Sequence, residues 1–347
     1  MTQLGPIRFP WEVPPAFGTP VEVAPGLLWI RLPMPMALDH VNVYALDDGD
    51  GWTLVDTGLN TPQTIEIWQD LLDGPLAAKP VRRILLTHHH PDHCGMVGWF
   101  QQRGAELVTS RTAWLMARML LLDEQDRPVP EALRFWERAG MSPEQIAKRA
   151  GERPFNFADV VQPIPVGFTR LQDGDSFHAG GRDWDVRVGH GHAPEHLTLW
   201  SRDDNLVLGG DQLLPGISPN IGVHPTEPGA DPLGEWLTAT ARFAEVARED
   251  QLVLGGHNLP FTGLPIRLRQ MAENHHSALD RLRALLTEPQ VAVDCFPVLF
   301  KRRINAGTFG LALAETVAHL NYLYRRGQIT RRLRADGAWL WQIADGA

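Results

Sequence analysis

Six consecutive residues, His88-His89-His90-Pro91-Asp92-His93, follow directly on the apolar run VRRILLT. In the pattern H-x-H-x-D-H, alternate residues of an extended segment point to one side, so His88 and His90 can grip one cation. Asp92 and His93 fall at the next turn, which Pro91 stiffens, and can reach a second cation nearby. His89 then points away. An isolated histidine is usually a packing residue. Here neutral imidazoles are crowded between two stretches that read as buried, VRRILLT and CGMVGWF, and a cation gives them a common partner. Imidazole with carboxylate suits zinc, and also iron or manganese. Cys94 abuts the motif and reads as a small buried residue.

Three further segments share the same design of an apolar or alternating run ending in a ligand type. They are WDVRVGHGH with His190 and His192, NLVLGG followed by Asp211, and QLVLGG followed by His257. Functional groups collect where strands run out into loops, so four such ends predict one converging cluster. The Gly209-Gly210 and Gly255-Gly256 pairs read as tight strand ends. There is no G-x-S-x-G elbow and no P-loop, and metal-assisted hydrolysis needs no Ser or Cys nucleophile. Two divalent cations ~4 Å apart can hold a bridging water and lower its pKa toward ~7, with Asp92 placed to orient it.

The elements that must position these groups are legible in outline. Residues 1–20, rich in proline and aromatics, read as an extended arm. GLLWIRLP, HVNVYALDD and GWTLVDTG alternate as strands do and surround an Asp-Asp-Gly-Asp-Gly turn. A helix is predicted from Thr61 to Asp73, with Thr61 as N-cap, Pro62 in its first position and Gly74 as its stop. Residues 111–151 read as an all-helical insertion, with an apolar stripe of Trp114, Leu115, Met116, Met119 and Leu120 and a capping box at Ser142-Pro143-Glu144-Gln145. That insertion is either a lid or part of the core. A boundary is expected near Pro265, separating residues 21–265 from residues 266–347. Helices over Ile266–Leu286 and Leu311–Arg326, then two strands about Asp336-Gly337, give the outline of a winged helix.

At this point the motifs resemble those of the metallo-β-lactamase superfamily over roughly residues 20–262. Leu54-Val55-Asp56-Thr57-Gly58 is similar to the family's early V-D-T-G element, and G-H-A-P-E-H to its G-H-T-P-G-H. That spacing favours His192 over His190, leaving His190 and His196 as positioning or packing residues. The resemblance implies an α/β fold, the αββα sandwich. It also implies that His88, His90 and His192 hold one metal ion, that Asp92, His93 and His257 hold another, and that Asp211 bridges them. Asp56 would orient the ligands from behind. Two divalent ions, most plausibly zinc, follow as cofactors.

Within the superfamily, Asp211 separates the chain from true metallo-β-lactamases, which lack an aspartate bridge there. Acyl-homoserine lactonases carry a tyrosine shortly after this aspartate, whereas this chain has Gln212-Leu213-Leu214; a lactonase stays the third choice. The sequence resembles glyoxalase II-like thioesterases and the lactamase-β-like branch with a C-terminal winged-helix domain. The basic residues by which glyoxalase II holds glutathione have no match here. The expected activity is hydrolysis of a carboxylic thioester or ester with a small-molecule acyl substrate. The alternative is single-strand ribonuclease or phosphodiesterase chemistry.

Charge bears on that choice. The 347 residues carry a net charge of −9, but from Ile266 onward 12 Lys and Arg face 7 Asp and Glu, leaving 20 against 34 before it. The acidic part argues against general nucleic-acid binding, and the basic tail keeps it open. Two cysteines make no disulfide framework and fit a reducing cytosol, the expected location. The N-terminus lacks the pattern of a signal peptide, and no apolar run approaches the ~18 residues of a membrane span. Tyr322, Tyr324 and an apolar helix face suggest a homodimer contact. His224, His275 and His276 are candidates for lining the mouth of the site, and spacing does not choose among them.

Overall fold

The computed structural model describes residues 6–301 and 303–344. The first five residues of the expected arm and the last three of the chain lie outside the described residues. Two compact units are present. One comprises the chain up to Glu124 with Asn156–Pro219 and Glu245–Arg267; the other comprises Gln125–Phe155, Asn220–Ala244 and Leu268 onward.

The first unit holds two sheets. One contains β1 (Val21–Ala24), β2 (Leu27–Pro33), β3 (His40–Asp47), β4 (Trp52–Val55), β5 (Val81–Leu85), β6 (Glu106–Thr109) and β7 (Thr169–Arg170), side by side in chain order. β2 to β4 form the antiparallel meander expected from their alternation, β1 adds an antiparallel edge strand that was not expected, and β4 to β7 run parallel. The other sheet contains β8 (Ser176–Ala179), β9 (Arg182–Gly189), β10 (His196–Ser201), β11 (Leu206–Gly210) and β12 (Leu252–Gly255), in the order β12-β11-β10-β9-β8.

The two sheets pack face to face. Trp29, Tyr44, Leu46, Val55 and Leu85 of the first meet Trp184, Val186, Leu197, Leu199 and Leu208 of the second in one buried cluster. Burial of each such side chain contributes about 1.5–3 kcal/mol. Residues one step along the same strands, Ile30, Leu32, Val43, Leu54 and Ile84, point the other way into a cluster with Trp68, Leu71 and Phe100. Those three come from the covering helices α1 (Pro62–Asp73) and α3 (Val97–Gln101), which flank the short α2 (Pro91–Cys94). Helix α1 starts where its caps require: the Thr61 hydroxyl accepts the Thr64 N–H at 3.1 Å. The mixed α/β fold is therefore the one expected.

Residues 111–151 form three helices, α4 (Arg111–Leu122), α5 (Pro130–Arg138) and α6 (Pro143–Ala150). The apolar residues of α4 divide between two faces. Trp114 and Leu121 pack on the core, whereas Leu115, Met119 and Leu122 are 50%, 41% and 72% exposed. The predicted single stripe is thus a helix apolar on both sides. The capping box of α6 is present, with Ser142 and Gln145 exchanging hydrogen bonds at 3.0 and 3.2 Å. After α7 (Pro232–Ala244) come α8 (Leu264–Leu285), α9 (Phe296–Leu299), α10 (Phe309–Arg325), β13 (Ile329–Leu333) and β14 (Trp339–Ile343). The last two pair antiparallel, Arg331 opposite Trp341, about a turn where Gly337 takes φ 92°. Among the described residues no helix is long and apolar enough to cross a membrane.

Candidate metal centre

Four strands of the first unit end at the cluster. Strand β5 runs out into His88, His90, Asp92 and His93; β9 leads to His190 and His192; β11 ends at Asp211; β12 ends just before His257. The parallel pair β11 and β12 sets Gly210 beside Gly255, so their outgoing loops leave together. The Leu197 N–H donates to Thr87 O at 2.9 Å, and the Asn42 N–H to Gly256 O at 2.7 Å, joining loops of the two sheets.

The donor atoms fall into groups. His88 Nε2 lies 3.0 Å from His90 Nδ1 and 3.3 Å from His192 Nε2. Asp92 Oδ2 lies 3.5 Å from His93 Nε2 and 3.4 Å from His257 Nε2. Asp211 stands between them, with Oδ1 3.3 Å from His93 Nε2 and Oδ2 3.2 Å from His257 Nε2 and 3.5 Å from His192 Nε2. In each of the sets His88/His90/His192, His88/His93/Asp211 and Asp92/His93/His257 the donor atoms lie within 4.8 Å of one another and could hold an ion.

The groups behind these donors fix which nitrogen faces inward. The His93 ring meets Asp56 through Nδ1 at 2.7 Å, and Asp56 also accepts from the Thr87 N–H and hydroxyl, each at 2.8 Å. His257 Nδ1 donates to His40 O at 2.8 Å. With Nδ1 engaged outward, each Nε2 presents to the interior. His196 Nε2 accepts the Asp211 N–H at 3.1 Å, and its ring stacks on His88 at 4.5 Å. Burial and the neighbouring imidazoles push His88 and His90 well below the usual histidine range, leaving neutral bases. Burial opposes charge on His93 and His257 too, but Asp211 and Asp92 outweigh it, raising His93 and setting His257 at about 10.

The donor set fits metal ions. His93 Nε2 and Asp211 Oδ1 are fully buried with no hydrogen bond satisfying either among the described residues, a costly arrangement unless a cation lies between such groups. A Cβ at Gly256 would come within 2.3 Å of Asp211 Oδ1 and 2.8 Å of His93 Cε1, so only glycine lets this backbone approach.

The structure separates the two histidines of G-H-G-H. His192 joins the cluster, while His190 Nδ1 accepts the Glu195 N–H at 3.4 Å. His89 turns away to stack at 6.5 Å on Phe157. Cys94 is buried against His89 O and its thiol pKa is pushed up by burial, so it stays protonated. Both cysteines are free. His275 is buried in the second unit, its Nδ1 3.3 Å from His319 Nε2.

Residues 36–288 match the metallo-beta-lactamase superfamily, and residues 279–344 the metallo-beta-lactamase-like C-terminal domain. The chain belongs to the metallo-β-lactamase superfamily. A crystal structure of a beta-lactamase domain protein from Burkholderia ambifaria is similar over 97% of both chains, with 32% identity and a TM-score of 0.88. A metallo-beta-lactamase family protein of Thermus thermophilus is similar over 93% of this chain and 100% of its own, with 28% identity and a TM-score of 0.77. A Bacillus subtilis protein named "Probable metallo-hydrolase YqjP" is 26% identical over 321 residues, 87% of this chain and 93% of its own length.

Several groups around this metallo-β-lactamase cluster escaped sequence reasoning. His40 accepts the Asn258 N–H through Nε2 at 2.8 Å, Asn42 donates to Gly255 O and Asn258 O, and the Tyr44 hydroxyl donates to Gly255 O at 2.8 Å. Together they clamp the loop that carries His257. Their signal was the polar alternation in H-V-N-V-Y, visible but attributable to an ordinary half-exposed strand.

Proposed function

We propose that this metallo-hydrolase of the superfamily uses a two-ion centre to hydrolyse carboxylic thioesters or esters. His88, His90 and His192 would hold one ion, Asp92, His93 and His257 the other, with Asp211 shared; zinc suits the donors best, ahead of iron or manganese. Bound divalent ions supply an activated water and polarise a carbonyl oxygen. The chain's own groups do the rest. Asp92, with one oxygen turned toward His93 and His257, orients the attacking water and takes its proton. Asp56, His40 and His196 keep the ligand nitrogens and Asp211 aimed inward. The buried setting strengthens every charge interaction there.

The observation that favours an acyl substrate is helix α4. Its first turn is held to the loop of His192, because the Thr112 N–H donates to Glu195 at 2.7 Å. From that anchored start it presents Leu115, Met119 and Leu122 outward, an apolar stripe suited to an acyl chain. The second reading, cleavage of single-stranded RNA, rests on the basic residues from Ile266 onward.

Metal-loaded protein is to be assayed on acyl-thioesters of increasing chain length and on single-stranded RNA, with Asp92→Ala as the blank. Thioester turnover that Asp92→Ala abolishes is the expected result. RNA cleavage abolished by the same change, without thioester turnover, would replace it with the phosphodiesterase reading.

A further inference from the structure

The second unit contains a cavity of about 320 Å³ between α5, α10 and the C-terminal hairpin. Helix α5 contributes Arg134 and Arg138, four residues apart on one face, with buried Phe135 beside them. The hairpin contributes Arg331, Trp339 and Trp341. Among the described residues Glu131 is the lone carboxylate in the lining.

Charge and shape here run against the rest of the chain. The protein is acidic overall, at −9, yet three guanidiniums gather on one apolar hollow. Among the described residues none of the three has a carboxylate within ion-pair distance. The planar faces of two of them, Arg331 and Arg138, are already engaged. Arg331 lies 4.6 Å from the centres of Tyr324 and Trp339, and 5.2 Å from that of Trp341. Arg138 lies 5.2 Å from the centre of Trp339 and donates to Gly337 O. Stacking of this kind fixes a guanidinium while leaving N–H edges for a planar or tetrahedral anion.

We propose that this cavity binds a small amphipathic anion. Its carboxylate or phosphate head meets Arg134, Arg138 and Arg331, and its apolar body lies against Phe135 and the tryptophans. Size narrows the class. A cavity of 320 Å³ sits at the low end of the roughly 300–1,000 Å³ found for small-molecule sites. At roughly 30 Å³ per small group it accommodates about ten heavy atoms. That suits a medium-chain or aryl acid. The proposal stands apart from the reaction at the metal cluster and requires no turnover.

The test is calorimetry on the full-length, metal-loaded protein with octanoate, octyl phosphate and 1-octanol. At least one of the two anions is expected to bind at a single site at least tenfold more tightly than octanol. The tighter of the two identifies the head group. Arg134→Gln, at an exposed position where folding is not at stake, and the pair Arg134→Ala with Arg331→Ala should each weaken that binding, the pair by tenfold or more. Metal-stripped protein should bind as the loaded protein does, which separates this cavity from anion ligation at the metal cluster. Equal binding of octanol, anion binding unchanged in Arg134→Gln, anion binding lost with the metal, or no anion binding at millimolar concentration would each overturn the proposal.

Discussion

At the scale of single residues the centre is a problem in charge. Asp211 is held well below the usual carboxylate range because, although burial opposes ionisation, His257 and His93 stand against it. Those two rings favour its ionised form, the form that ligates a metal ion. Asp92→Ala should lower turnover by at least about 100-fold, the scale of a lost general base, and the same variant should retain less metal because Asp92 stands with His93 and His257 in one donor group. Asp56→Asn should act at one remove. It leaves the shape intact but weakens the grip on His93 Nδ1, and metal affinity should fall about 10–100-fold as read by competition with a chromophoric chelator. Gly256→Ala presses a methyl group toward Asp211 and His93, and should give folded protein that retains less metal. The ligand-type residues were legible because metal binding demands particular side chains at tight spacing. His40 and Asn42 were not, since their roles arise from a loop more than 200 residues away, a distance that no local pattern encodes.

Elements carry the next level. The strand ends were readable in sequence because apolar alternation stops abruptly at glycine pairs and polar ligands, and β5, β9, β11 and β12 end there. Helix α4 was harder. Its apolar residues suggested one stripe, but periodicity cannot assign sides to a helix that is apolar on two. If its outer face receives an acyl chain, the pair Leu115→Ser with Met119→Ser should raise KM for long-chain thioesters several-fold, leave short-chain kcat/KM nearly unchanged, and cost little stability, because both positions are exposed. The buried pair between α8 and α10 predicts a pH effect. Burial pushes His275 down to about 3 and His319 to about 4. The unfolded chain takes up protons on these rings below ~6.5, while the folded chain does not until those lower values are reached. Stability is thus complete above that range and falls on acidification, by up to about 1.4 kcal/mol per pH unit for each ring. Melting curves between pH 7 and 4.5 should show this slope, reduced when His275→Gln and His319→Gln are combined.

For the whole molecule, the superfamily match over residues 36–288 is followed, with a short overlap, by the C-terminal match over 279–344, and both halves of that order were readable beforehand. How the chain distributes between its two units was less so. Residues 125–155 group with the C-terminal segments, an association made by packing between distant stretches. Charge asymmetry marked the C-terminal region as basic but not where its arginines converge, since Arg134 and Arg138 come from the insertion and Arg331 from the hairpin. Metal ions held at the cluster would tie together four loops of the first unit, so chelation should lower the melting temperature of zinc-loaded protein by several degrees, restored when zinc is returned.

The claim on which the rest depends is that seven side chains form one two-ion centre. Its most direct test is titration of metal-stripped protein with zinc, following bound metal and thioester hydrolysis together, beside Asp211→Ala. Activity that rises until two equivalents are bound, and a variant that fails to retain the second, is the predicted result. Full activity at one equivalent, or a variant that binds both ions as the unaltered protein does, would contradict it.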